Sequence, residues 1–153
     1  MIPNSVTELG FGAFYRCKSL TSIEIPDSVT EIGDWAFLDC ASLKEIIVEE
    51  GNPNYCSRDG VLYSKDMSRL IAVLGGIASM SISESVTEIG TFAFWCCTRL
   101  VELHLRHKEP INLSFSSNSL DPSNISLFVP EGTVDVYRQD LFYGQFKEVV
   151  CEK

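Results

Sequence analysis

Ser28-Val29-Thr30-Glu31-Ile32-Gly33 is one of three nearly identical runs in this chain. The others occupy residues 5–10 and 85–90, with Leu9 in place of isoleucine in the first. The first run and its surroundings recur after 23 residues, so that Ile2 corresponds to Ile25, and recur again after a further 57, at Ile82. A fixed period of this size, carried by apolar residues, indicates a solenoid of stacked coils.

The repeated frame extends well beyond the six-residue run. In the middle copy its members are Ile25, Val29, Ile32, Gly33, Ala36, Phe37, Cys40, Leu43 and Ile46. Since 57 exceeds 23 by 34, the spacing predicts one irregular coil of 34 residues, within residues 48–81. Turn residues at 51–54 and Asp59-Gly60, with strand-like runs at 61–63 and 70–74, predict a hairpin inserted there.

Residues 20–25, 43–48 and 100–105 fit the strand pattern L-x-x-L-x-L of leucine-rich repeats. Alternation along such a strand places Ile23 and Ile25 inward, with Ser22 and Glu24 outward. The phenylalanines of successive copies should stack in the core. We therefore predict a leucine-rich-repeat solenoid dominated by β-structure, with short helical or 3-10 bends, about four coils, a hairpin-insert coil and a C-terminal cap.

The repeat pattern weakens after Leu105, which divides the chain into repeats at 1–105 and a capping region at 106–153. Within the cap we expect a loop at 114–124, a strand at 126–129, a helix at 134–140 with Thr133 as N-cap, and a last strand at 147–151. An aromatic lid should cover the last coil. It would consist of Tyr137, Phe142, Tyr143 and Phe146.

Nothing comparable covers the first coil, because Met1 is followed at once by the repeat pattern. The strand near residues 6–9 and one side of Phe14 should therefore meet solvent. We expect the isolated chain to self-associate through residues 2–20, or to be most mobile there. The start of the sequence also contains no signal peptide.

Composition excludes several functional classes. The net charge is −9, with 12 Lys and Arg against 21 Asp and Glu, which disfavours nucleic-acid binding because phosphate recognition needs clustered basic residues. The longest apolar run, residues 70–74, is far shorter than the ~20 residues of a membrane-spanning helix. No nucleotide-binding or other cofactor motif is present, so no cofactor is expected.

The six cysteines do not resemble a disulfide framework. Cys17, Cys40 and Cys97 hold the same position in the repeat, as expected of small buried thiols. Cys96 takes the place of Arg16 and Asp39 in the other copies, so we expect it to face outward and to react readily. No spacing typical of a zinc site occurs.

Acidic side chains form two predicted columns, one of Glu8, Glu31 and Glu88 and one of Glu45 and Glu102 with Ser22. A calcium site or an acidic docking stripe would use them, but a solvated face is favoured, because exposed carboxylates without a rigid loop bind cations weakly.

The only two histidines, His104 and His107, suggest neither a metal site nor a catalytic site. Three residues apart on a strand, they should point to opposite faces, and we expect both to be exposed. No nucleophile with an adjacent base can be assembled from the sequence, so we expect the protein not to be an enzyme.

Aromatic residues just outside the core form two further columns, Phe11 with Trp35 and Phe92, and Tyr15 with Leu38 and Trp95. They either form an exposed ridge that grips a protein partner or pack between coils. The candidate partner-binding residues are Phe11, Trp35, Phe92, Trp95, Glu24, Glu45, Glu102 and His104.

Residues 25–43 resemble the repeat of the BspA-like, or Treponema-type, leucine-rich-repeat proteins. Residues 51–63 resemble the hairpin insert of that family, and residues 128–137 its closing segment. The resemblance implies a cell-surface or secreted protein that adheres to a protein ligand, such as a host or matrix protein, and it implies no catalytic residues. The alternatives are a structural spacer within a longer surface protein and, remotely, an unrecognised enzyme.

Overall fold

The computed structural model describes residues 1–112 and 120–152. Its strands are β1 (Glu8–Leu9), β2 (Ser22–Ile25), β3 (Glu31–Ile32), β4 (Glu45–Val48), β5 (Tyr55–Arg58), β6 (Val61–Ser64), β7 (Arg69–Val73), β8 (Ser79–Ile82), β9 (Glu88–Ile89), β10 (Glu102–Leu105), β11 (Ser126–Val129) and β12 (Glu148–Cys151). One α-helix, α1 (Val134–Gln139), and 3-10 turns at Pro122–Asn124 and Tyr143–Gln145 complete the described elements.

The predicted solenoid is confirmed, with about six coils where about four were predicted. Six four-residue strands, β2, β4, β8, β10, β11 and β12, recur along the described chain at intervals of 22 to 24 residues, except for the 34 between β4 and β8. They pair in parallel, β2 with β4, and β8, β10, β11 and β12 in succession. Coils therefore continue past Leu105, where the residue pattern weakens, and the division of the chain at residue 105 stays a prediction.

Strand β8 was not predicted, although its residues carry the pattern. Ile77, Met80 and Ile82 have the spacing of the L-x-x-L-x-L positions, and Met80 and Ile82 are buried. The methionine at the central position and the alanine and serines between the pattern positions hide the pattern, because leucine, isoleucine or valine holds these positions in the other copies. This strand returns the chain from the insert to the regular coil.

Three bends follow the short strands on another side of each coil. We call residues 11–16 the first bend, 34–39 the second and 91–96 the third. The first and second bends lie directly against each other, and a Cβ placed on Gly33 would lie 2.6 Å from Phe11 N. Glycine at this position of the repeat therefore permits the close approach of neighbouring coils.

The insert coil contains the predicted hairpin and one strand more. Strands β5, β6 and β7 form an antiparallel sheet, and β7 then pairs in parallel with β9. Asp59 and Gly60, both with positive φ (51° and 78°), make the tight turn between β5 and β6. Strand β5 was missed because its residues, Tyr-Cys-Ser-Arg, do not alternate in polarity. The insert also separates β4 from β8, so that the main sheet is in two parts.

The core follows the repeat. Phe37 and Phe94 are buried, and Phe14 of the first coil is half-buried and stacks on Phe37 with ring centroids 5.7 Å apart. At the other end Tyr137 and Tyr143 are buried, and their hydroxyls donate to His107 O and Ile111 O. The aromatic lid is thus present as predicted.

Several predictions about the cap need qualification. Thr133 stands at the N-cap of α1, but its hydroxyl donates to Pro130 O and not to the helix. Residues 113–119, most of the loop predicted at 114–124, lie outside the described residues. Arg138 Nη2 donates to Val149 O, so the last strand has one of its carbonyls satisfied within the chain.

All six cysteines are free, and Cys40 and Cys97 are buried as predicted. Cys17 is only half-buried, because no coil covers it. The prediction that Cys96 faces outward was wrong. Cys96 is half-buried between the second and third bends, and this burial raises the pKa of its thiol.

Candidate functional site

Four aromatic rings form a continuous row along the bends. The centroids of Phe11 and Trp35 are 4.7 Å apart, those of Trp35 and Phe92 5.6 Å, and those of Phe92 and Trp95 5.4 Å. Phe11 is 68% exposed, and Trp35 and Trp95 are 39% and 38% exposed. We call these four residues the aromatic ridge. The structure brings them together as one surface, which the sequence columns only suggested.

The backbone of the ridge is strained. Gly12, Trp35 and Phe92 are equivalent in the repeat, and all three have positive φ, at 63°, 64° and 59°. Glycine adopts this conformation freely, whereas in bulky residues it is an outlier that costs about 1–3 kcal/mol. The first copy carries the glycine and supplies its ring from Phe11, one residue earlier. Two of the three copies thus hold an aromatic residue at a position where glycine would adopt the same backbone conformation at a lower energetic cost.

The ridge spans a gap that the insert creates. Between the second and third bends the insert contributes β7, an extended strand, in place of a bend. A cavity of about 80 Å³ remains below the contact between Trp35 and Phe92. The two rings therefore meet over a cavity, and below them there is no continuous stack of coils.

The other four candidate residues lie on the outer face of the strands. Glu24 and Glu45 belong to the β2–β4 pair, and Glu102 and His104 to the sheet that begins with β8. Because the insert separates these two parts, the structure does not join the four side chains into one site. All but His104 are exposed.

The predicted acidic column on this face is interrupted. Its carboxylates alternate with serine hydroxyls from strand to strand. In order the residues are Ser22, Glu45, Ser79, Glu102, Ser126 and Glu148. Like charges directly opposite each other on neighbouring strands are destabilising, and this alternation avoids them. Ser126 Oγ donates to Glu148 Oε1 at 2.6 Å.

The other acidic column is also incomplete. Glu8 lies opposite Glu31, but Glu88 lies opposite Arg69, with 3.0 Å between Arg69 Nε and Glu88 Oε1. Within residues 1–112 and 120–152 no group of three His, Cys, Asp or Glu side chains is placed to hold a metal ion. A calcium site in either column has no geometric support.

The two histidines have separate environments. His104 stacks on Phe128 with centroids 4.4 Å apart, and its Nδ1 lies 3.0 Å from Glu152 Oε1. Arg106 pairs with the same carboxylate. The prediction that His107 is exposed was wrong, because it is buried and its Nε2 contacts Val86 O at 2.7 Å.

The first coil presents apolar groups at the open end of the solenoid. Ile2, Val6, Phe14 and Leu20 line a groove there. Val6, Phe14 and Leu20 are only half-buried.

No described helix is long and apolar enough to cross a membrane.

The family model for the BspA-type leucine-rich-repeat region matches residues 1–58 and 73–148 in six copies. The chain belongs to this family. The six copies agree with the six parallel strands of the described chain. Comparison with curated proteins gives no match.

Solved structures of two other proteins are similar to this BspA-type chain. The pneumococcal vaccine antigen PcpA is 28% identical with a TM-score of 0.57, over 71% of this chain and 29% of that one. A leucine-rich cell-surface protein from Faecalibacterium prausnitzii is 20% identical with a TM-score of 0.52, over 99% and 52%. The chain thus spans between about a third and a half of these relatives.

Proposed function

We propose that this BspA-type chain is a non-catalytic protein-binding module of a bacterial-type cell-surface or secreted protein, and that the aromatic ridge is its contact surface. The ligand is a protein, such as a host or matrix protein. The observation that carries the proposal is the continuous row of Phe11, Trp35, Phe92 and Trp95, in which all but the half-buried Phe92 are exposed and part of the backbone is strained.

Two physical arguments support the ridge as the contact surface. Strained backbone persists where the surrounding structure and function require it, and Trp35 and Phe92 are strained at a position where Gly12 is not. Aromatic side chains are enriched among residues that dominate binding energy, because they bury large areas at a low entropic cost. The cell-surface location is supported by the description of the Faecalibacterium relative as a cell-surface protein.

The test is binding of the chain to a panel of purified extracellular-matrix proteins immobilised on a sensor. Trp35→Gly removes one ring of the ridge and should preserve the bend, because glycine occupies the equivalent position 12. We expect Trp35→Gly and Trp95→Ala each to weaken binding by roughly 30-fold, the equivalent of about 2 kcal/mol for a dominant contact residue.

Two control variants are used. One changes an exposed apolar residue outside the ridge, and the other changes a residue on the strand face. Val101→Ala and Glu45→Gln should leave binding unchanged. Loss of binding in Glu45→Gln or His104→Ala, with the ridge variants unaffected, would show that the contact surface is the strand face and not the ridge. A chain that binds no member of the panel would favour the structural spacer.

A further inference from the structure

The cavity between the second and third bends has hydrogen-bond donors on one wall. In the first bend the N–H groups of Gly12, Phe14 and Arg16 donate to carbonyls of the second bend, at Asp34 (3.0 Å), Ala36 (2.8 Å) and Leu38 (2.9 Å). The equivalent groups of the second bend are the N–H of Trp35, Phe37 and Asp39. By the same repeat geometry these face the insert, and Trp35 and Phe37 line the cavity.

Two of these three donors have no acceptor. The N–H of Asp39 lies beside the Cys96 thiol, and the N–H of Cys40 donates to Phe37 O at 3.4 Å. Those of Trp35 and Phe37 donate to nothing within the described part of the chain. Backbone donors away from water are almost always paired, because an unpaired one costs as much as a lost hydrogen bond.

The insert explains why the acceptors are missing. Strand β7 uses its edges for β6 and for the third bend, where Val73 N donates to Ala93 O at 2.8 Å. It therefore does not present to the second bend the row of carbonyls that the second bend presents to the first. The cavity of about 80 Å³ lies where those carbonyls would be.

The remaining walls are mainly apolar. Phe37, Ile71, Leu74 and Ala93 contribute hydrocarbon surface, and Trp35 touches Phe92 above them. An apolar cavity of 150 Å³ holds a benzene molecule, so about 80 Å³ suits a group of three or four heavy atoms. Such a group must carry an acceptor oxygen to pair with the two donors.

We propose that this cavity binds a two-carbon aliphatic group that ends in a carboxylate or carboxamide, whose oxygen accepts from the N–H groups of Trp35 and Phe37. The group is either a free small molecule or the end of an Asp or Asn side chain of a protein ligand. The site goes beyond the proposed function and does not depend on it, since its donors are backbone N–H groups inside the cavity and not the exposed ring surfaces of the ridge.

Titration of the ¹⁵N-labelled chain with acetamide, and separately with acetate, tests the site by NMR. We expect the amide-proton resonances of Trp35 and Phe37 to move downfield and to saturate. Those of Gly12 and Phe14 should not move, because these equivalent groups already have acceptors. Bound acetamide should also slow amide exchange with solvent at Trp35 and Phe37, a measurement that needs no variant.

Ala93→Val fills the cavity and should abolish the saturable shift. Ala13→Val is the matched control, because Ala13 has the same place in the repeat but lies exposed in the first coil. Absence of a saturable shift with either probe, equal shifts at all four amides, or a shift retained in Ala93→Val would overturn the proposal.

The source of the group is decided by a competition. If a matrix protein supplies it, acetamide at saturating concentration should reduce binding of that protein to the chain. A saturable shift without such competition assigns the site to a free small molecule.

Discussion

At the scale of single residues, position along the solenoid decides what a repeated side chain contributes. Phe14, Phe37 and Phe94 are equivalent in the sequence, yet Phe14 is half-buried, Phe37 is 8% exposed and Phe94 is fully buried. The thiols follow the same rule, with Cys17 half-buried and Cys40 and Cys97 buried. Neighbouring coils complete the environment that each residue type prefers.

We expect Phe37→Ala to lower the free energy of unfolding by about 3–5 kcal/mol, because a large ring is lost from a packed core. Phe14→Ala is the matched control and should cost clearly less, since one side of its ring already meets solvent. Urea unfolding of the two variants measures the difference. Equal losses would show that Phe14 is as well covered as Phe37.

A second prediction concerns alkaline pH. Burial raises the pKa of the Cys97 thiol from 9.0 to about 12, so the folded state holds the proton more tightly than the unfolded state. The stability from this group is therefore complete below pH 9 and is lost as the pH rises from about 9 towards 12. Burial of Tyr137, whose pKa rises from 10.0 to about 12, acts in the same direction.

Thermal unfolding measured between pH 8 and pH 11 tests this effect. Cys97→Ala should lose less stability than the parent chain over this range, whatever its stability at pH 8. Cys151→Ala, which removes an exposed thiol, should follow the parent. Parallel curves for Cys97→Ala and the parent would contradict the assignment.

At the scale of elements, the insert coil shapes the molecule most. It separates the main sheet into two parts, places an extended strand where regular coils bend and leaves the cavity beneath the ridge. Its hairpin depends on the turn at Asp59 and Gly60, which both have positive φ. This turn is therefore the point at which the insert is most sensitive to substitution.

Gly60→Ala should destabilise the chain by about 1–2 kcal/mol, because φ is +78° and the added Cβ would lie 3.0 Å from Ile77 Cδ1. Gly76→Ala is the matched control, since no atom lies within 4 Å of its added Cβ. Its effect should stay within about 0.5 kcal/mol, as for an ordinary surface change. Chemical unfolding that ranks Gly76→Ala as the costlier change would refute this account of the turn.

At the scale of the whole molecule, the two ends differ. The C-terminal end has the aromatic lid and the hydrogen bond from Arg138 to Val149 O. The first coil presents β1 as an edge strand, together with the half-buried Val6, Phe14 and Leu20. Apolar surface beside an unpaired strand edge favours association with another chain.

We predict that the isolated chain self-associates through residues 2–20, or that this coil shows the lowest protection in hydrogen exchange. Leu20→Glu should shift light-scattering masses towards the monomer. Leu141→Glu, which replaces a leucine that is 93% exposed at the other end, should not. A monomer at high concentration together with strong amide protection at Val6 and Leu9 would show that the first coil is covered after all.

The sequence by itself determined the repeat, the inward and outward positions of each strand and the rings of the ridge. These features follow from a local period, because alternation along a strand places side chains whatever the neighbouring coil does. Phe11, Trp35, Phe92 and Trp95, which lie on the bends, were identified from their recurrence in the repeat.

Only the tertiary structure decided where coils continue without the pattern, how Cys96 and His107 are buried, and that Trp35 meets Phe92 across a cavity. These features join residues separated by the insert, whose extended strand β7 matches neither the width of a bend nor its hydrogen-bonding edge. Within the described residues the N–H groups of Trp35 and Phe37 have no acceptor beside that strand, and no local pattern records this because Gly12 and Phe14, at the same repeat positions, donate to carbonyls of the second bend.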